Sequence, residues 1–242
     1  ENKMFTHRPD CFGQYGVARE IAGIFGQPFE SPKGYIPTPT FLEGEGLALK
    51  IFNDIPLAVP RFMAVALDNI TVGQSPLWLQ CELICLGGKP INNIVDATNY
   101  VMLMSGQPTH AYDYDKLRGA TLGARMAQKG EKLELLNGKT YEFTEDDIVI
   151  TDGEGPIGLA GIMGGNNSEV SADTQRVVLE CANFDMYAVR RSSMRHGLFT
   201  DAVTRFNKGP SPEQCDRALN YLINGIDAVM KKNAIQSTNI FD

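Results

Sequence analysis

The sequence predicts an α+β fold, a layered domain in which a mixed or antiparallel β-sheet region is flanked by helices. Three observations carry that expectation. Apolar residues repeat with a helical period near both ends of the chain, over 14–25 and again after Ser211. From Ala120 onward the period changes, and short apolar runs alternate with turn residues. The chain has 242 residues, 43% of them hydrophobic, enough to bury one large core or two closely packed ones.

The elements follow in order. Residues 14–25 put Val17, Ala18, Ile21, Ala22, Ile24 and Phe25 on one side of a first helix, and Gly26 stands where a helix stops. Residues 27–39, rich in Pro, Gly and Ser, read as a linker that Gly44 and Gly46 extend. A boundary is expected there, giving an N-terminal helix and linker over 1–46 and a main domain over 47–242, or one continuous unit over 1–242. Residues 61–67 read as a strand apolar on both faces, and Ser75 with Pro76 supplies the N-cap and first turn of a second helix that ends at Gly87 and Gly88. A third helix covers 96–105 and closes at Gly106, after which 107–115 is a loop carrying Pro108 and His110. Asn137 and Gly138 signal a hairpin, and 148–151, 157–163 and 177–182 are further strands, divided by 152–156 and by a turn over 164–168. Ser211, Pro212 and Gln214 form a capping box for the last helix. Its stripe of Ala218, Leu219, Leu222, Ile223, Ile226, Val229 and Met230 runs to a basic end at Lys231 and Lys232.

Bulk properties exclude several classes. The longest uniformly apolar stretch, 62–67, is far too short to cross a bilayer, and no signal-peptide pattern opens the chain. Five cysteines, Cys11, Cys81, Cys85, Cys181 and Cys215, are odd in number and lie in apolar segments, which suits reduced core thiols in a cytoplasmic protein. The chain opens at Glu1, and Met4 is followed at once by motif-like residues, so a piece of a longer polypeptide is expected. A net charge of −7 argues against gripping nucleic acid unaided. One local exception is the basic stretch of Arg190, Arg191, Arg195, Arg205 and Lys208 around His196, which on charge alone reads as a solvated helix face.

Familiar chemical motifs are missing. Cys81 and Cys85 share a helix face, but no second pair of Cys or His completes a zinc site, so core packing is expected for both and no metal is predicted. Residues 161–166 lack the ending and spacing of a phosphate loop, and the adjacent Gly164 and Gly165 fit either a tight turn or a close backbone approach to a ligand. No nucleophile elbow supports a serine mechanism around His7, His110 or His196. Glu180 is conspicuous because it interrupts an apolar strand. Left unpaired inside the protein it would cost several kcal/mol, on the order of the desolvation penalty of an ion, so a nearby Arg or a backbone N–H is expected to serve it.

Three segments nevertheless resemble the β subunit of phenylalanyl-tRNA synthetase, bacterial type. They are His7-Arg8-Pro9-Asp10-Cys11, the run Asp96-Ala97-Thr98-Asn99-Tyr100-Val101-Met102-Leu103 continuing to Gly106-Gln107-Pro108-Thr109-His110-Ala111-Tyr112-Asp113, and Arg195-His196-Gly197-Leu198-Phe199-Thr200-Asp201-Ala202. Leu159-Ala160-Gly161-Ile162-Met163-Gly164-Gly165 and Val178-Leu179-Glu180-Cys181-Ala182 also look like that family, in the same order. The resemblance implies its editing module, placed over 47–242, which hydrolyses tyrosine misattached to the phenylalanine tRNA. The synthetic site lies elsewhere, so ATP and Mg are expected only for the full synthetase, and no cofactor is expected here. Carried over by motif, the pocket falls on His110 and Thr200 as catalytic residues and on Glu180, Gly164, Gly165 and Ala202 as substrate-binding residues.

The resemblance gives each position a physical task. Glu180 would accept the tyrosine phenol, the small residues would leave room, Thr200 would orient the ester or a water, and His110 would position or deprotonate that water. All of this requires Glu180 to be inside the protein, on the same side of its sheet as His110. Arg190, Arg191, Arg195 and Lys208 are implied as contacts for the 3′ end of the tRNA. The partners implied are that tRNA end carrying tyrosine, the α subunit and the remaining β-subunit domains, with no membrane. A second reading is an idle scaffold or tRNA-docking module, and a third, a free-standing deacylase, is weakened by the acidic charge. Where the family carries an acid after its Arg-aromatic pair, this chain has Asn207, which puts in doubt an ion pair near Arg205.

Overall fold

The computed structural model describes residues 5–35 and 46–230. Met4, Pro39, Gly44, Lys231 and Lys232 lie outside the described residues, as do the side chains of Val229 and Met230. The order is α1 (Gln14–Ile24), β1 (Lys50–Asn53), β2 (Arg61–Leu67), α2 (Leu77–Cys85), α3 (Asn93–Ser105), β3 (His110–Asp113), β4 (Thr121–Met126), β5 (Lys132–Glu134), β6 (Thr140–Glu142), β7 (Ile148–Thr151), β8 (Pro156–Leu159), β9 (Met163–Gly164), β10 (Val177–Asn183), α4 (Met186–His196), α5 (Asp201–Phe206) and α6 (Gln214–Met230). Among the described residues no helix is long and apolar enough to cross a membrane.

The α+β expectation holds. An antiparallel sheet of order β2-β10-β3 is paired along the whole length of β10, and a mixed five-stranded sheet runs β1-β4-β7-β8-β9, with β1 parallel to β4 and the remaining pairs antiparallel. Strand β10 lies at the centre of the three-stranded sheet and is buried on both faces. Val177, Leu179 and Cys181 join one core with Leu219, Leu222 and Ile226 of α6 and with Ile94 and Val101 of α3. Val178 and Ala182 point the other way, into a second core with Leu122, Ile150 and Leu159 of the five-stranded sheet. The layers are therefore helices, three strands, then five strands, with α4 and α5 packed on the second core through Val189 and Phe206.

Several elements differ from the sequence expectation. The third helix begins earlier than 96, at Asn93, because the side chain of Asn92 caps it by accepting from the N–H groups of Ile94 and Val95. Ser75 does not cap α2. Its hydroxyl donates to the buried Asp96 at 2.5 Å, and Pro76 takes the cap position without a side-chain bond. The apolar run over 157–163 is two strands, since residues 160–162 turn the chain at Gly161, where φ is +69°. The expected loop over 107–115 contains β3. Cys81 and Cys85 are exposed rather than in the core, because α2 packs through Leu79 and Leu83 on its opposite side. The apolar face of α1 is also largely uncovered, with Ile24 70% and Phe25 71% exposed.

Candidate functional site

The site is built where the two sheets face each other. In the register of β3 and β10, His110 stands directly opposite Glu180 and Tyr112 opposite Val178. Residues paired across a ladder project to the same face, and so do residues two apart along a strand. His110, Tyr112 and Glu180 thus share the face of the three-stranded sheet that looks toward the five-stranded sheet. They line a pocket of about 80 Å³ whose other walls include Ile150 of β7, Gly158 of β8, Gly164 of β9 and Ala202 of α5. That volume holds several water molecules, since one needs only about 10–15 Å³.

Glu180 is 5% exposed. Its expected partner, an arginine or a backbone N–H, is not what serves it. The phenol of Tyr112 donates to Oε2 at 2.5 Å. Burial pushes the Glu180 carboxyl up to about 7, with the Tyr112 bond pulling the other way. Burial also pushes Tyr112 well above the ordinary phenol range, with the charge of Glu180 adding to it. His110 is drawn down to about 4 by burial, so its imidazole is neutral at physiological pH and its ring nitrogens offer one donor and one acceptor. Its ring meets that of Tyr112 edge-on, with centroids 4.6 Å apart.

Gly164 is small for the sake of His110. A Cβ there would lie 2.5 Å from Nε2 and 2.6 Å from Cε1 of the imidazole. Gly165 is small for the sake of the chain path: its N–H donates to the Ile157 carbonyl at 2.7 Å, and a Cβ would meet that same oxygen at 2.6 Å. Thr200 sits just behind the lining. Its hydroxyl donates to the Ile162 carbonyl at 3.0 Å and accepts from Val203 N–H at 3.2 Å, which ties the Gly161–Ile162 turn to the first turn of α5 and so sets the position of Ala202.

The basic stretch divides in two. Arg190 and Arg191 are exposed on α4, with no ion pair recorded among the described residues. Arg195 donates to Asp147 at 2.6 Å and lies 3.4 Å from Asp146. His196 meets the other oxygen of Asp147 at 3.0 Å, Arg205 pairs with Asp201 at 3.1 Å, and the Lys208 ammonium lies 5.6 Å from the centre of the Phe12 ring. Asp147 is fully buried and also accepts from Ser192 Oγ and from Thr144. Burial opposes its ionisation, but Ser192, the Thr144 N–H and His196 outweigh that, and its carboxyl stays below the usual range. Tyr112 lies within a family-like segment without being one of the pocket residues expected from it, and Asp147 lies in none of those segments. The alternation of His110 with Tyr112 across Ala111 is the period-2 signal that points to Tyr112, whereas nothing near Asp147 in sequence points to partners 45 to 49 positions away.

Comparison with known proteins adds the following. The B3/4 domain family matches residues 58–231. The chain is 43% identical over 219 residues to the phenylalanine–tRNA ligase β subunit of Solibacter usitatus, covering 90% of this chain and 28% of the relative. It is 42% identical over 241 residues to the same subunit of Lactobacillus johnsonii, covering 96% of this chain and 29% of the relative. The chain thus spans under a third of the length of these relatives. Among solved structures, an N-terminal fragment of the phenylalanyl-tRNA synthetase β subunit from Pyrococcus horikoshii is 16% identical with a TM-score of 0.43, covering 86% of this chain and 60% of that one.

Proposed function

We propose that this chain, which belongs to the B3/4 domain family, is the editing module of a phenylalanine–tRNA ligase β subunit and hydrolyses tyrosine esterified to the phenylalanine tRNA. The observation that carries the reading is the facing pair of Glu180 and His110 on one side of a sheet, inside a pocket between two sheets. A carboxylate there accepts the substrate's phenol in a charge-assisted hydrogen bond worth about 1.5–3 kcal/mol. Phenylalanine leaves that acceptor unserved, and sites built around a hydroxyl reject analogues lacking it by roughly 10⁴ or more.

Water attacks the ester carbonyl, and the ribose hydroxyl leaves. His110, neutral and weakly basic at about 4, serves better as a hydrogen-bond partner that orients the water than as a base that removes its proton, because an efficient base titrates near the working pH. Thr200 orders the Ile162 turn and the start of α5 around the ester. Gly164 leaves room for the imidazole, Gly165 lets the chain pass close to the Ile157 carbonyl, and Ala202 adds only a methyl group to the lining. Within the basic stretch, Arg190 and Arg191 have no ion pair among the described residues and are on offer to the 3′ end of the tRNA. Arg195 and Lys208 contribute to that surface more weakly, since Asp147 and the Phe12 ring already engage them. The α subunit and the remaining β-subunit domains hold the bulk of the tRNA, ATP and Mg act at the synthetic site elsewhere, and the assembly works in the cytoplasm.

The test uses the whole synthetase carrying this segment, with Glu180→Ala and Ala202→Trp. Clearance of Tyr-tRNA is expected to vanish in both while phenylalanine charging persists. Deacylation at the parental rate in both variants refutes the reading and leaves a scaffold in its place.

A further inference from the structure

We propose that Tyr112 is the positioning residue of this pocket: its phenol engages Oε2 of Glu180 and leaves Oε1 as the single oxygen that reads an incoming phenol. The inference rests on the editing reading above and adds a residue to it. Tyr112 and Glu180 are diagonal neighbours across β3 and β10, since Tyr112 pairs with Val178 and His110 with Glu180. Diagonal neighbours lie roughly 7–8 Å apart, a span that a long aromatic side chain with a polar tip can bridge. The Tyr112 ring is 2% exposed and packed edge-on against His110, which removes its freedom to swing away.

The two carboxylate oxygens are therefore not equivalent. Oε2 holds the internal phenol. Oε1 has no hydrogen-bond partner among the described residues. Glu180 lines the cavity, so Oε1 is the oxygen left to meet a ligand there. Ala64 of β2 is the other cross-strand neighbour of Glu180, and the facing sheet and α5 present Ile150, Gly158, Gly164 and Ala202. None of those titrates. His110 and Tyr112 are the titratable groups around the carboxylate, and His110 is neutral above about 4. Among the described residues Tyr112 is thus the donor that favours the ionised carboxylate against the cost of burying it. A second phenol, from the substrate, meets a carboxylate that Tyr112 has already fixed in rotamer and biased toward its charged form. A para substituent without a proton to donate gains nothing from Oε1.

Tyr112→Phe keeps the ring and deletes the donor. In the whole synthetase, deacylation of Tyr-tRNA and Phe-tRNA is followed between pH 5.5 and 8.5. The midpoint below which the enzyme stops discriminating tyrosine is expected to rise by about one pH unit, from about 7, with about fivefold less discrimination at pH 7 and near-parental discrimination at pH 8.5. Recovery at high pH separates a role in holding the charge from a merely structural one. The complementary variant, Tyr112→3-fluorotyrosine, retains the shape with a stronger donor and moves the midpoint down, and it gives the answer if Tyr112→Phe does not fold. An unmoved midpoint, or a loss uniform across pH, overturns the proposal. If Glu180→Ala abolishes clearance while both Tyr112 variants behave as parent, the positioning role alone fails. If Glu180→Ala is also without effect, the editing reading fails with it.

Discussion

Gly164→Ala adds one methyl group where β9 of the five-stranded sheet meets the imidazole of His110. Its Cβ would sit 2.5 Å from Nε2 and 2.6 Å from Cε1 of His110, and 3.3 Å from Leu136 Cδ1. An ordinary contact is about 3.5–4.0 Å, so the ring must retreat by about 1 Å. Retreat presses it toward Tyr112, whose centroid is already 4.6 Å away. Overpacking of this kind costs about 1–3 kcal/mol. For a domain of this size each kcal/mol lowers Tm by about 2–4 °C, so a fall of roughly 2–12 °C is expected by calorimetry. Displacing a catalytic group by about 1 Å can cost about 10²-fold in rate, and single-turnover deacylation of Tyr-tRNA should show a loss of that order. Gly158→Ala is the stability control. It lines the same pocket on the neighbouring strand, but its nearest foreign atoms would be 3.7 Å away, so it should be neutral or stabilising by up to about 1 kcal/mol. If Gly164→Ala is as stable and as fast as the parent, or if Gly158→Ala is equally damaged, then Gly164 is not spacing the imidazole.

Three further outcomes are expected. Glu180→Gln should abolish a pH slope in stability: the folded carboxyl titrates near 7 against an ordinary 4.5, so the folded state keeps a proton that the unfolded chain has released, and parental stability falls as pH rises from about 4.5 to about 7. Above that window the variant should exceed the parent by on the order of 3 kcal/mol; His110 is common to both and cancels, and parallel denaturation midpoints at pH 4.5 and 8 would sink the claim. Asp147→Asn removes the charge shared by Arg195 and His196 and should cost about 3 kcal/mol in thermal unfolding, whereas a Tm within about 1 °C of the parent would show the cluster to be energetically idle. Asn207→Glu puts an acid two positions after Arg205, whose buried Nε has no partner among the described residues, nor has Asn207 Oδ1; a rise of about 1 kcal/mol in denaturant stability is expected, and no rise would mean that residue 207 does not serve the guanidinium.

What could be read in advance follows from how local each signal is. Strand β10 was legible because the apolar run over 177–182, buried on both faces, is interrupted by Glu180 alone, and α6 because its buried stripe keeps a helical period through Ala218, Leu222 and Ile226. The boundary between β8 and β9 was hidden, since Ile157, Leu159, Ile162 and Met163 form one continuous apolar stretch and a single glycine marks the turn. Strand β3 was masked by Pro108, which suggests a loop, although His110, Ala111 and Tyr112 alternate as a strand should. The pocket residues His110, Gly164, Glu180 and Ala202 were named through a resemblance rather than through spacing, and they line one cavity. The Tyr112 bond to Glu180 spans 68 positions, and no local pattern encodes which of several donors will reach a buried acid. The exposed face of α1 makes the converse point: a periodic stripe says where an apolar surface lies, not what covers it.

Because alternate residues of β10 face opposite ways, one strand seals the helical core with Val177, Leu179 and Cys181 and turns Glu180 to the pocket from its other face, between Val178 and Ala182 of the second core. Inserting or deleting a single residue within it would exchange these roles at a stroke, presenting Leu179 or Cys181 to the cavity and driving a carboxylate into the packing against α6. Length changes there cannot be graded. The chemistry of this cavity is open to adjustment one side chain at a time, but the segment that carries its acid tolerates no slippage.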